Sequence, residues 1–129
     1  MRRASYRRFG PIVAAIVAVV AVMAHAAPAA AGYGAVALDE KNAKYGFGWN
    51  EDTQKKADDA AMQACNGEAC KIVFRVPPKQ CGSLATAEKG AAWGGSVKPT
   101  RDAAKLGAIE NCQKNTSGKC VVRGTDCNR

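Results

Sequence analysis

Apolar and polar positions along this chain follow one order twice. Tyr33 to Leu38 and Lys44 to Trp49 are short extended runs separated by the polar turn Asp39-Glu40-Lys41-Asn42, which predicts a β-hairpin. In the second run Tyr45, Phe47 and Trp49 alternate with Gly46 and Gly48, so the bulk lies on one face. The period then changes. Ala57, Ala60, Ala61, Ala64 and Cys65 fall at i, i+3, i+4, i+7 and i+8, a helical stripe behind the natural N-cap Thr53. After Asn66-Gly67 the stretch from Cys70 to Val76 alternates again, with Ile72, Phe74 and Val76 expected inward and Lys71, Val73 and Arg75 outward. Pro77-Pro78 ends it.

The second half repeats the first. Gly82 to Thr86 and Ala91 to Val97 flank Ala87-Glu88-Lys89-Gly90, and Thr100 caps a helix carrying Ala104, Gly107, Ala108 and Cys112 on one stripe. Tyr33-Gly34-Ala35-Val36-Ala37 aligns with Cys81-Gly82-Ser83-Leu84-Ala85, and Tyr45-Gly46 with Trp93-Gly94. Cys65 aligns with Cys112, and Cys70-Lys71-Ile72-Val73 with Cys120-Val121-Val122. A unit of roughly 45 to 48 residues is one supersecondary motif, too small to bury its own apolar face. The expected fold class is α+β. Two tandem β-β-α-β repeats form one mainly antiparallel sheet with two helices on one face, and disulfides staple it. Residues 33–76 and 81–127 are the two repeats of a single domain over 32–129. Small residues let each helix approach the sheet closely, and the strands supply the bulk.

The N-terminus changes the charge picture. Arg2, Arg3, Arg7 and Arg8 precede an apolar stretch from Pro11 to Met23, followed by Ala24-His25-Ala26 and Pro28-Ala29-Ala30-Ala31. These are the three regions of a secretory signal peptide, assigned to 1–31, with cleavage after Ala31 or after Ala26. The alternative is an uncleaved anchor, since Pro11 to Ala31 is just long enough to span a bilayer. His25 and Pro28 argue against it, so no membrane span is expected after cleavage. Four of the 19 basic residues and none of the 11 acidic ones leave with the signal, which lowers the formal charge from +8 to about +4. That charge is interspersed and is no nucleic-acid footprint. His25, the sole histidine, leaves as well.

All six cysteines follow the signal, an even count that reads as a disulfide framework in an exported chain. The spacings C-x4-C and C-x7-C, without histidine, do not suit zinc, and no metal or other cofactor is expected. Of the possible pairings, the repeat favours Cys65–Cys70 and Cys112–Cys120, one bridge per unit. Cys81–Cys127 then ties the last strand to the strand that opens the second unit.

The tandem Tyr-Gly and Cys-Gly openings, the Ala-rich helices and the Cys70-Lys71-Ile72-Val73 strand together resemble a bacterial family of small exported proteins, domain of unknown function 4189. The likeness covers essentially the whole mature chain. The second unit departs from it modestly, at Ala92-Trp93-Gly94-Gly95 and in the longer Cys112 to Cys120 loop. The resemblance implies the fold and export and supplies no mechanism.

No catalytic residues stand out. The carboxylates occur as adjacent pairs (Asp39/Glu40, Glu51/Asp52 and Asp58/Asp59), which suits a solvated face better than acids converging on a substrate. The expectation is therefore a non-enzymatic binding module, periplasmic or secreted, with an extracytoplasmic protein or envelope component as partner. An inhibitor acting outside the cytoplasm is one form of it; a carboxylate-dependent hydrolase of the envelope is the alternative. The aromatics Tyr45, Phe47, Trp49 and Trp93 read either as core or, beside Lys71 and Arg75, as an open binding face.

Overall fold

The computed structural model describes residues 31–129; the segment read from sequence as a signal peptide, 1–31, lies outside them except for Ala31. Each half of the sequence forms three strands and a helix. The first unit contains β1 (Tyr33–Asp39), β2 (Lys44–Glu51), α1 (Gln54–Cys65) and β3 (Lys71–Val76). The second contains β4 (Cys81–Ala87), β5 (Trp93–Lys98), α2 (Arg101–Gln113) and β6 (Cys120–Cys127). Both helices begin as the sequence predicts. The hydroxyl of Thr53 accepts from the Lys56 amide at 3.2 Å and that of Thr100 from the Ala103 amide at 3.3 Å. At the end of α1, Asn66 adopts the left-handed conformation with φ 51°, which its short polar side chain tolerates.

The α+β class and the paired β-β-α-β units hold, but the strands are divided. In place of one shared sheet there are two antiparallel three-stranded sheets, ordered β2-β1-β3 and β5-β4-β6. The helices do not share a face either. A Cβ placed on Gly46 would strike the backbone of Ala61 and Cys65, and one on Gly94 that of Ala108 and Cys112, so each helix lies directly on its own sheet. On the opposite faces, Gly124 of β6 sits against the Phe47 ring and Gly95 of β5 against the Phe74 ring. The sheets therefore stack on each other, with a helix outside each. The cause lies in the strand pattern. Each unit puts small residues toward its helix and bulk on the other face, and one continuous sheet would leave that bulk wet.

The stacking is complementary across the repeat. Phe47 and Gly95 occupy equivalent positions in the two units, as do Phe74 and Gly124. Phe47 packs on Gly124 while Phe74 packs on Gly95. The first unit supplies both rings and the second both hollows, a match that two copies of either unit would not achieve. Val36, Leu38 and Leu84 fill the centre and are almost wholly buried.

Three disulfides link Cys65 to Cys70, Cys112 to Cys120 and Cys81 to Cys127. The first two tie each helix to the strand that follows it. At the chain's end, the buried Asn128 side chain donates to the Val76 carbonyl at 2.8 Å and accepts from the Asn50 amide at 2.9 Å. Asn50, held at φ 53°, accepts in turn from the Arg129 amide at 2.8 Å. The two residues that follow β6 thus lock into the first unit.

One surface ion pair links charge to stability. Arg75 grips Asp58 of α1 with Nε at 3.1 and 3.2 Å and Nη2 at 2.8 Å, and Gln54 adds a bond at 3.0 Å. The Arg75 hydrogen bonds hold the Asp58 carboxyl below its ordinary value. Asp39 is lowered too, mainly by the Asn42 side chain. A carboxyl lowered in the folded state stabilises above its unfolded pKa of about 3.9 and loses that contribution as pH falls through the folded value. The melting temperature should accordingly fall once pH drops below about 4. Asp58→Asn should flatten the fall without abolishing it, because Asp39 remains. Identical acid profiles for wild type and variant would remove Asp58 from the explanation. The Arg75 side chain is 55% exposed and that of Asp58 22%, so solvent screens the pair and its effect at neutral pH is small.

Candidate functional site

Lys71 and Arg75 do not share a face, because β3 contains a bulge. Opposite β1, Phe74 pairs with Val36 and Ile72 with Ala37, leaving Val73 without a partner. One extra residue shifts the alternation and re-aims the side chains on either side of it. Arg75 pairs with Ala35, on the helix side, and reaches Asp58. Lys71 pairs with Leu38, on the opposite side, and its Nζ lies 3.7 Å from Glu40 Oε1. The expected inward set is split likewise: Ile72 packs with the cluster under α1 while Phe74 packs between the sheets.

The aromatic stripe follows the stacked interface. Tyr45, Phe47 and Trp49 form a row with ring centroids 5.7 and 5.9 Å apart, the latter two stacked. Phe47 is covered by Gly124, and Trp49 lies against Gly34 and Gly82. Phe47 and Trp49 are part of the packing between the units, whereas Tyr45 at the end of the row is 37% exposed. Trp93 stands at the end of the interface nearest the hairpin tips. There its indole N–H donates to Glu40 Oε1 at 3.0 Å, joining the two units.

Concave surface is found at that end. Because the sheets stack in the same sense, both hairpin turns project side by side and enclose a groove of about 460 Å³. Glu40 to Ala43 form one wall, Ala87, Glu88, Gly90 and Ala91 the other, and Arg123 lines it from β6. A pocket of about 20 Å³ beneath it reaches Leu38, Thr86 and Trp93, room for about one water or methyl group. Glu40 borders both, as well as a smaller depression of about 110 Å³ beside Lys71.

The walls are held by local hydrogen bonds. The Asp39 carboxylate accepts from the amides of Lys41 and Asn42 at 3.0 and 3.2 Å and from the Asn42 side chain at 2.8 Å. Ala43 completes the turn at φ 53°. In the second hairpin the Ala87 amide donates to the Ala92 carbonyl at 2.8 Å and the Glu88 amide to the Lys119 carbonyl at 2.9 Å. Glu88 also faces Lys119 Nζ at 3.8 Å. On β6, Arg123 is the bulged residue: Val122 pairs with Ala85 and Gly124 with Leu84. Its Nε donates to Thr86 Oγ1 at 2.8 Å.

A groove of this size can seat a peptide segment or a small polar ligand. Among the described residues, no group of three or more His, Cys, Asp and Glu side chains is placed to hold a metal ion. No helix there is long and apolar enough to cross a membrane. Of the residues singled out from sequence, Lys71 and Trp93 adjoin the groove through Glu40. Phe47 and Trp49 belong to the interface, Tyr45 is exposed at the end of their row, and Arg75 lies on the helix side. Glu40 was noted only within the Asp39/Glu40 acidic pair, and Glu88 and Arg123 were not singled out. The signal that marks two of them is the dipeptide Glu-Lys, present at the same point of both repeats as Glu40-Lys41 and Glu88-Lys89.

No curated protein and no solved structure matches the chain. A family model described as a domain of unknown function (DUF4189) matches residues 33–127, which takes in every strand and helix of both units, and the chain belongs to that family.

Proposed function

We propose that the protein is an exported, non-enzymatic binding module that holds an extracytoplasmic protein partner in the groove between its hairpin tips. The observation that carries this reading is the division of the surface: among the described residues the sheets pack on each other and on the helices, whereas a groove to which both units contribute lies between the turns. The Asp39 network in one turn and the Ala87–Ala92 and Glu88–Lys119 backbone bonds at the other hold those turns in advance, so little conformational freedom is lost on binding. The three disulfides suit an oxidising compartment, periplasmic or extracellular. An inhibitor of a cell-wall hydrolase is one concrete form of such a module.

The carboxylates favour recognition over hydrolysis. Glu40 and Glu88 both border the groove, yet their side chains are 40% and 50% exposed and each faces a lysine. A glycosidase requires two carboxyl groups set on either side of a bond, with surroundings that hold one of them protonated.

Filling the groove tests the reading. Ala91→Trp, at an exposed position on one wall, should abolish capture of the partner from periplasm or culture medium by the oxidised protein. Its stability should stay within about 0.5 kcal/mol of wild type, as for surface changes generally. Leu106→Glu, on the exposed outer side of α2, should leave capture intact. Capture that survives Ala91→Trp and is lost with Leu106→Glu would move the site to the helices.

A further inference from the structure

The charges around the groove identify what it holds. Four ionised side chains line it: Glu40, Lys41, Glu88 and Arg123. Each acid faces a lysine that does not itself line the groove, Glu40 facing Lys71 at 3.7 Å and Glu88 facing Lys119 at 3.8 Å. Glu40 also accepts the Trp93 indole N–H. The two cations have no carboxylate partner among the described residues. The groove therefore presents a net positive charge carried by Lys41 and Arg123, with each acid facing a lysine.

Arg123 is positioned for a carboxylate. The bulge in β6 takes it out of the regular alternation. Its bond from Nε to Thr86 Oγ1 then anchors the guanidinium on a residue that is itself 9% exposed. That bond uses one of five N–H donors and leaves the Nη pair, whose planar fork matches the two oxygens of a carboxylate. A guanidinium held in advance loses less freedom when it binds than a free lysine does.

We propose that the groove receives an acidic, extended segment of a protein partner, with one carboxylate seated on Arg123 and a second acid close to Lys41. This rests on the binding-module reading above and names its partner chemistry. A densely charged polyanion fits less well. Among the described residues only two cations without a carboxylate partner line the groove, too few to match a continuous row of negative groups.

The test uses three probes against the oxidised, isotope-labelled protein. One is a short glycine-serine peptide carrying aspartates, the second is the same peptide with asparagines, and the third is a sulfated oligosaccharide. The acidic peptide should shift the backbone amides of Lys41 to Ala43, Glu88 to Ala91 and Arg123. Its binding should weaken about tenfold in Arg123→Gln, less in Arg123→Lys, and also in Lys41→Gln, with further loss as salt is raised. Lys41 lies exposed in a turn, so that variant remains informative should Arg123→Gln fold poorly. Equal binding of the asparagine peptide in the groove would overturn the acidic preference while leaving the groove as the binding site. Shifts scattered over the outer lysines of the helices, indifferent to both variants, would overturn both. Tight binding of the oligosaccharide in the groove, with no response to the acidic peptide, would replace the protein segment with a glycan.

Discussion

Replacing Gly94 or Gly46 with alanine is expected to destabilise the protein more than the same change at Gly95 or Gly124, although all four lie in strands. The difference is in what the new methyl group meets. At Gly94 it would run into the Ala108 carbonyl oxygen and the Cys112 amide, and at Gly46 into the Ala61 carbonyl and the Cys65 amide. Helix backbone cannot give way without lifting the whole helix from the sheet, and Cys112 and Cys65 are further tied by disulfides. At Gly124 the methyl would lie 2.5 Å from Cζ of Phe47, the far end of a ring that is not fully buried and can tilt. Overpacking costs about 1–3 kcal/mol and occasionally more. The helix-facing glycines belong at or above the top of that range and the ring-facing ones near the bottom. Chemical denaturation of the four alanine variants measures the order directly. The reverse order would mean that the helices sit farther from the sheets than described and that the rings are the rigid element. A ring-facing loss should also be partly recovered by trimming its partner, as in Gly124→Ala with Phe47→Leu, because contacting residues couple.

The second large effect concerns the disulfides. Cys81–Cys127 spans 46 residues, against 5 for Cys65–Cys70 and 8 for Cys112–Cys120. If a bridge acts by restricting the unfolded chain, loop closure assigns about 4 kcal/mol to the long bridge and about 2 to 2.5 kcal/mol to each short one. The long bridge also holds β6 beside the Asn128 and Arg129 contacts that lock the units together. Removing both its cysteines, as Cys81→Ser with Cys127→Ser, should therefore lower the melting temperature most of the three double replacements. An equal loss from all three would indicate that the bridges act through native packing and not through loop length.

The elements that could be read from sequence share a physical cause. The helices were legible because Ala57, Ala61, Ala104 and Ala108 repeat at helical spacing, and all four are buried against the sheets. The cysteine pairing was legible because a duplicated motif places its bridges at equivalent points. The division into two sheets was not, because hairpin periodicity shows which residues share a face but not what covers that face. The glycines held part of the answer. Gly46, Gly48 and Gly94 marked the helix side, which left Phe47 and Trp49 for the neighbouring sheet. The bulge at Val73 has no compositional signature, and it alone separates Lys71 from Arg75. The groove stayed hidden for another reason: Glu40 and Glu88 look like ordinary solvated turn residues until stacking brings the two turns together.

In the proposed arrangement the two sheets cover each other's open faces, which leaves recognition to the hairpin tips. Through-space proton contacts in a nuclear Overhauser spectrum of the oxidised protein test it most directly. The stacked arrangement predicts contacts from the Phe47 ring to the Gly124 α-protons and from the Phe74 ring to the Gly95 α-protons, with those α-protons displaced by the ring currents. Rings that show contacts within their own unit alone, with Gly95 and Gly124 at ordinary positions, would contradict it and return the aromatic face to solvent.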